Sequence, residues 1–194
     1  MKEITKEELD RAFDARFPQE IKEKLQKASV AVAGLGGLGS NIAVSLARSG
    51  VGHLLLVDFD VVDVTNLNRQ MYSIRPLGQP KTLALREILG RINPWLDIQT
   101  RQVRVTPENI PALFAGWPIV CEAFDRPDQK AMLIGTLLAK FPDTIVVSGN
   151  GMAGLGDAND IVTRHKLSRL YVCGDDTTES APGAGLMAPR VAAD

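Results

Sequence analysis

"SVAVAGLGGLGS", residues 29–40, is the stretch that decides the fold. Residues 29–34 form a short apolar run ending in glycine, the pattern of a strand buried in a parallel sheet. Gly34, Gly36 and Gly39 then spell G-x-G-x-x-G, and residues 39–50, "GSNIAVSLARSG", read as a helix closed by Gly50. A strand, a glycine turn and a helix in that order make the motif informative. The glycines let the backbone turn tightly and approach a phosphate or an adenosine. The helix start adds free N–H groups and about half a positive charge.

Working outward, "HLLLVD" (residues 53–58) is a second strand, and Asp58 at its end follows Gly39 by 19 residues. A carboxylate there can accept both hydroxyls of a ribose diol. Downstream, helices over 80–93, 107–116 and 127–141 alternate with strands over 97–103, 118–124 and 143–149. Thr106-Pro107 reads as the cap and first turn of the middle helix, and Asp128 as the cap of the last. This alternation predicts an α/β fold with a Rossmann-like, doubly wound, mostly parallel sheet. A glycine-rich loop follows residue 149, then two antiparallel strands over 160–167 and 168–175 that extend the sheet, then a polar tail ending in a helix-like "LMAPRVAAD". Upstream, residues 5–17 read as one helix with Thr5 and Glu8 at capping-box spacing, and residues 19–28 as a second. The expected organisation is an N-terminal helical appendage, 1–28, and a nucleotide-binding domain, 29–194.

Composition narrows the function. At 45% hydrophobic and 23% charged over 194 residues, the chain has the profile of a soluble globular protein. A net charge of -1 provides no general field for nucleic acid or a membrane surface, so neither is an expected partner. Cys121 and Cys173 form no Cys-x-x-Cys pair, so no structural zinc is expected, and two scattered thiols suit a reducing cytoplasm. "MKEITKEELD" is too charged for a signal peptide, and no apolar run approaches the roughly 18–20 residues of a membrane span. Cys121 reads as core and His53 and His165 as structural; Cys173 is a weaker candidate, because Asp175 and Asp176 would oppose its thiolate.

The glycine loop alone does not choose among NAD, FAD, S-adenosylmethionine and ATP. "DFDVVDVTNLNRQ", residues 58–70, does. It begins at the sheet edge where ligands of such folds sit, and it is dense in amides around Arg69. Arg69 offers a planar fork of donors for phosphate. Lys81, in "GQPK", opens a helix, where the dipole disfavours it unless a polyphosphate lies between them. Asp125, closing the strand that precedes the third helix, suits Mg²⁺ held through one carboxylate, waters and phosphates. No Walker-type loop occurs, so these cations suit displacement at the α-phosphate by a carboxylate. An NAD-dependent oxidoreductase would leave Arg69 and Lys81 idle.

"GLGGLGS", "DFD", "NLNRQ", "GQPK", "INP" and Asp125 together resemble the ubiquitin-activating-enzyme-like family, in its ThiF and MoeB branch. "GNGMAGLG", "LYVCGD" and "PGAGLMAPRV" are similar to its compact thiamine-biosynthesis subgroup. The resemblance implies Mg-ATP-dependent adenylation of the C-terminal Gly-Gly carboxylate of a ThiS-like, ubiquitin-fold sulfur carrier. It implies that Gly34, Gly36, Gly37 and Gly39 hold the nucleotide, that Asp58 takes its ribose, that Asp60 belongs to the same nucleotide site, and that Asn66, Arg69 and Lys81 address phosphates. Asp125 takes the magnesium. Arg16, or next Arg11, reaches a partner subunit's site in a homodimer. The family also adds a further extension for carrier binding beyond the matching stretch. Other readings within this fold are a different carrier, a small molecule or a tRNA-bound carboxylate as substrate; a non-catalytic nucleotide-binding module is the reading from another class.

Overall fold

Burial on both faces of the central strands builds the core. Along β1 (Ser29–Ala33) and β2 (His53–Asp58), successive side chains enter opposite faces of one sheet. Val30, Val32, Leu54 and Leu56 pack with Ala43, Ala47, Leu85 and Leu89 of α3 (Gly37–Ser49) and α4 (Lys81–Ile92). Ala31, Ala33, Leu55 and Val57 pack on the other face with Phe114 of α5 (Ile110–Phe114) and with Leu133 and Leu137 of α6 (Pro127–Lys140). A strand buried on both faces has no alternation in its sequence, which is why the run 29–34 reads as continuously apolar.

The computed structural model describes residues 4–151 and 157–177. Within them lie β3 (Asp97–Gln102), β4 (Ile119–Glu122), β5 (Ile145–Gly149), β6 (Val162–Leu167) and β7 (Leu170–Gly174). The sheet order is β3-β2-β1-β4-β5-β7-β6, parallel throughout except for the β6–β7 pair. The chain steps outward from β1 to β3, then crosses back to β4 on the other side. That reversal opens a crevice beyond the carboxyl ends of β1 and β4. The Rossmann-like fold and the added antiparallel strands are therefore as the sequence predicts, and β7, not β6, joins the main sheet.

Two short helices precede the sheet, α1 (Lys6–Asp14) and α2 (Gln19–Lys27). Thr5 and Glu8 form the expected capping box. The predicted helix over 5–17 is shorter, however, because the chain turns at Ala15 and Phe17 is left to stack on Phe13 with ring centres 6.1 Å apart. Both helices sit at the amino end of β2: Gly52 N–H donates to Leu25 O at 3.0 Å and His53 N–H to Ala28 O at 3.1 Å.

Three further boundaries differ. The helix predicted over 107–116 is confined to Ile110–Phe114, since Asn109 caps back onto the Thr106 N–H and holds the preceding residues in a turn. β4 ends at Glu122, so Asp125 lies in the following loop and does not end the strand. Asp128 is inside the first turn of α6, not at its cap, which is Arg126; Asp128 bonds Arg126 instead at 2.9 Å. The glycine-rich residues 152–156 and the tail 178–194, including "PGAGLMAPRV", lie outside the described residues. No helix among the described residues is long and apolar enough to cross a membrane.

Candidate functional site

The glycine loop is fixed at one peptide. Leu35 N–H donates to Asp58 Oδ2 at 2.6 Å, and Leu35 O accepts from the Tyr72 hydroxyl at 2.9 Å. Asp58 Oδ1 accepts from Asp60 N–H at 2.8 Å, so the carboxylate is aimed by backbone donors on both sides. Burial, then the nearby Asp58 charge, push the Tyr72 hydroxyl well above its ordinary range, so it stays a donor. Gly34 adopts φ 88°, a left-handed conformation open to glycine at little cost. α3 begins at Gly37 with no side chain bonding its first N–H groups, which leaves them directed into the crevice end of the helix.

The polar run after β2 folds back onto this loop. Asn41 Nδ2 donates to Gly37 O at 2.7 Å and to Arg69 O at 3.1 Å, and Met71 N–H donates to Ser40 Oγ at 3.2 Å. Arg69 consequently lies along Gly37, where a β-carbon would already stand 3.4 Å from its side chain. Its Nη1 donates to Thr65 O and to Asn68 Oδ1, both at 3.0 Å. Asn66 is buried, and its Oδ1 accepts from Asp63 N–H at 3.0 Å, closing the turn Val64–Asn66. Lys81 is only 6% exposed, with Nζ 3.2 Å from Asp60 Oδ2.

These pieces border one cavity of about 840 Å³, whose walls include Gly34, Gly36, Gly37, Asp58, Asp60, Asn66, Arg69, Lys81 and Asp125. Two predicted residues stand apart from it. Gly39 is packed under the loop, where a β-carbon would collide with the Gly34 carbonyl; its role is close packing of helix on strand. Arg16 is exposed in the turn after α1, at the opposite end of β2. Among the described residues no cluster of three His, Cys, Asp or Glu side chains could hold a metal alone, so a cation here would need oxygens from its ligand besides Asp125.

Sequence reading missed residues on this wall and packed behind it. Glu122, fully buried, accepts from Lys130 Nζ at 2.8 Å, Ser148 Oγ at 2.6 Å and Phe124 N–H at 2.7 Å. The only signal was an acid inside the apolar "PIVCEAF", with a lysine eight residues on. Thr82, and Gln70 of the amide-rich run already singled out, each bury a side-chain oxygen that has no partner among the described residues. Arg104 stacks over the Phe59 ring at 3.8 Å on the cavity rim.

The cysteines and histidines stand outside the cavity. Burial, with a smaller contribution from Cys173, pushes the Cys121 thiol up to about 12. Cys173 Sγ lies 3.2 Å from Thr163 Oγ1. Both histidines have partners within the chain: His53 Nδ1 is 3.1 Å from Asp97 Oδ2, and His165 stacks on Tyr171 at 4.4 Å.

A doubly wound sheet with a glycine loop and a strand-end acid, Asp58, at its reversal point defines a Rossmann-like nucleotide-binding class of protein. Comparison with known proteins narrows it. The model of the ThiF family matches residues 9–189. The chain is 36% identical over 183 residues to molybdopterin-synthase adenylyltransferase of Salmonella typhimurium, covering 90% of this chain and 71% of that protein. It is 39% identical over 127 residues to the sulfur carrier protein adenylyltransferase of Thermus thermophilus, covering 63% of this chain and about half, 47%, of that protein. Its fold superposes with a TM-score of 0.85 and 26% identity on E. coli tRNA N6-threonylcarbamoyladenosine dehydratase in complex with ATP, covering 98% and 91% of the two chains. The chain belongs to the ThiF family and stands among its enzymes.

Proposed function

We propose that the chain is a Mg-ATP-dependent adenylyltransferase that activates the C-terminal Gly-Gly carboxylate of a ThiS-like sulfur carrier, in the thiazole branch of thiamine synthesis. The observation that carries the reading is the meeting of Arg69, Lys81, Asp58 and Asp125 around one glycine loop in a single cavity. Asp58 takes the ribose hydroxyls. The open N–H groups of α3, with Asn66, Arg69 and Lys81, hold the triphosphate. Asp125 is the carboxylate that would hold Mg²⁺, which would neutralise charge on the polyphosphate. A carrier carboxylate oxygen bonds to the α-phosphorus, the bond from that phosphorus to the bridging oxygen breaks, and pyrophosphate leaves with the electron pair. Positioning and charge stabilisation carry this chemistry, with little proton transfer.

Arg16 could serve such a site only from a second copy, because in its own chain it stands at the other end of β2. A homodimer is therefore part of the proposal, checked by light scattering in solution.

The test is ATP–pyrophosphate exchange with Gly-Gly-ended, ubiquitin-fold carriers. Exchange that depends on carrier and Mg²⁺, and is lost in Arg69→Ala and Asp125→Ala, supports the reading; absence of exchange with every such carrier overturns it. The likeness to the E. coli tRNA dehydratase over almost the whole chain favours a second reading, activation of a tRNA-bound carboxylate. ATP consumption dependent on tRNA, and indifferent to carrier, would select it.

A further inference from the structure

Among the described residues five cations line the cavity; Arg104 is stacked on Phe59 and Arg126 is paired with Asp128, and the other three divide between two sides of the crevice. Arg69 and Lys81 come from the β2–α4 connection, whereas Lys130 comes from α6, which follows β4 across the sheet reversal. In-line displacement at phosphorus requires the leaving group and the incoming oxygen to lie on opposite sides of the reacting atom. If the first pair holds the departing pyrophosphate, the other side must receive a second anion, the acyl carboxylate, which the polyphosphate repels. Lys130 is built for that place. Its side chain is 18% exposed on the cavity wall, and one of its three N–H donors goes to Glu122 Oε2 at 2.8 Å. Among the described residues the other two have no protein partner, so they are available to a ligand.

Glu122 explains why the ammonium does not wander. It is fully buried at the end of β4, and Phe124 N–H and the Ser148 hydroxyl fix its carboxylate. A buried ion pair gives no clear stability advantage over apolar side chains of the same volume, so its presence beside a cavity calls for a use.

Resting on the adenylation reading above, we propose that Lys130 is the docking cation for the carboxylate of the acyl substrate, and that Glu122 and Ser148 are positioning residues that hold it. Lys130→Met should raise the KM for carrier in pyrophosphate exchange by tenfold or more and leave ATP-analogue affinity within twofold. Lys130→Arg should restore much of the loss. The double variant Glu122→Gln/Lys130→Met removes both charges together and guards against a folding defect from an unpaired Glu122.

A second readout does not depend on any carrier. Glycylglycine, titrated into the protein bound to a methylene analogue of ATP, should shift the NMR signals of Lys130 and Gly149, whereas glycylglycine amide should not. The shift should vanish in both Met variants. A dipeptide effect that survives in Lys130→Met, or is absent from the native chain, overturns the proposal. So does equal loss of nucleotide affinity in the variants, which would place Lys130 in the triphosphate site. If the dipeptide behaves as expected but no carrier supports exchange, the carboxylate site stands and the carrier reading falls.

Discussion

Lys81 shows how a residue can be legible from sequence for one reason and held in the structure for another. Its position at a helix start was electrostatically unfavourable, and that conflict pointed to an anion. In the structure Asp60 lies 3.2 Å away, so the carboxylate relieves part of the same conflict. Asn66 is the converse case. Sequence suggested phosphate, and the structure also gives its amide a local task at the Asp63 turn. Glu122 was legible only as an acid within an apolar run, because partners 26 and 8 residues away define its role and neither spacing is a motif. For the proposed phosphate groups, Arg69→Ala or Lys81→Met should each lower carrier-dependent pyrophosphate exchange by about 10²–10³-fold. Circular dichroism should remain native in both, and steady-state kinetics checks the loss.

At the level of elements, strands and helices were visible wherever apolar residues kept one period, and their ends were not. α1 stops early because Phe13 and Phe17 stack across a turn instead of continuing one stripe, a tertiary choice that spacing alone does not reveal. The β6–β7 hairpin was legible as a pair, but its anchor was not. Arg169, at the hairpin turn, donates to Leu138 O, Phe141 O and Thr144 O at 2.9, 2.6 and 3.0 Å. It thereby satisfies carbonyls at the end of α6 and in the turn that follows it. Arg169→Ala should cost about 2–3 kcal/mol. Thermal unfolding should then start about 4–12 °C lower, and Arg169→Lys should recover only part of the loss.

For the whole molecule, nucleotide and pH should both move stability in defined directions. ATP at a hundredfold excess over its Kd should add about 2.7 kcal/mol, read as a higher melting temperature, whereas NAD at the same concentration should add nothing. Alkali acts through the buried thiol. Cys121 keeps its proton in the folded chain until about 12, while the unfolded chain releases it near its ordinary value of 9.0. Above that value the unfolded state holds fewer protons than the folded one, so stability is intact below pH 9 and falls as pH rises towards 12. Tyr72 pulls in the same direction above its ordinary value of 10.0. Urea unfolding between pH 8 and about 11 should show the decline, and Cys121→Ala should flatten it.

Three cations of the cavity already rest on acceptors of the protein itself: Lys81 on Asp60, Arg69 on Thr65 and Asn68, Lys130 on Glu122. An entering anion must therefore displace or share these acceptors. A single orthophosphate or sulfate meets only one of the cations and gains little from the exchange. A triphosphate linked to a ribose meets several at once, and its second and third contacts are intramolecular. The built-in partners thus act as a filter against the abundant small anions of the surrounding solution, leaving the crevice responsive to the one anion long enough to reach across it.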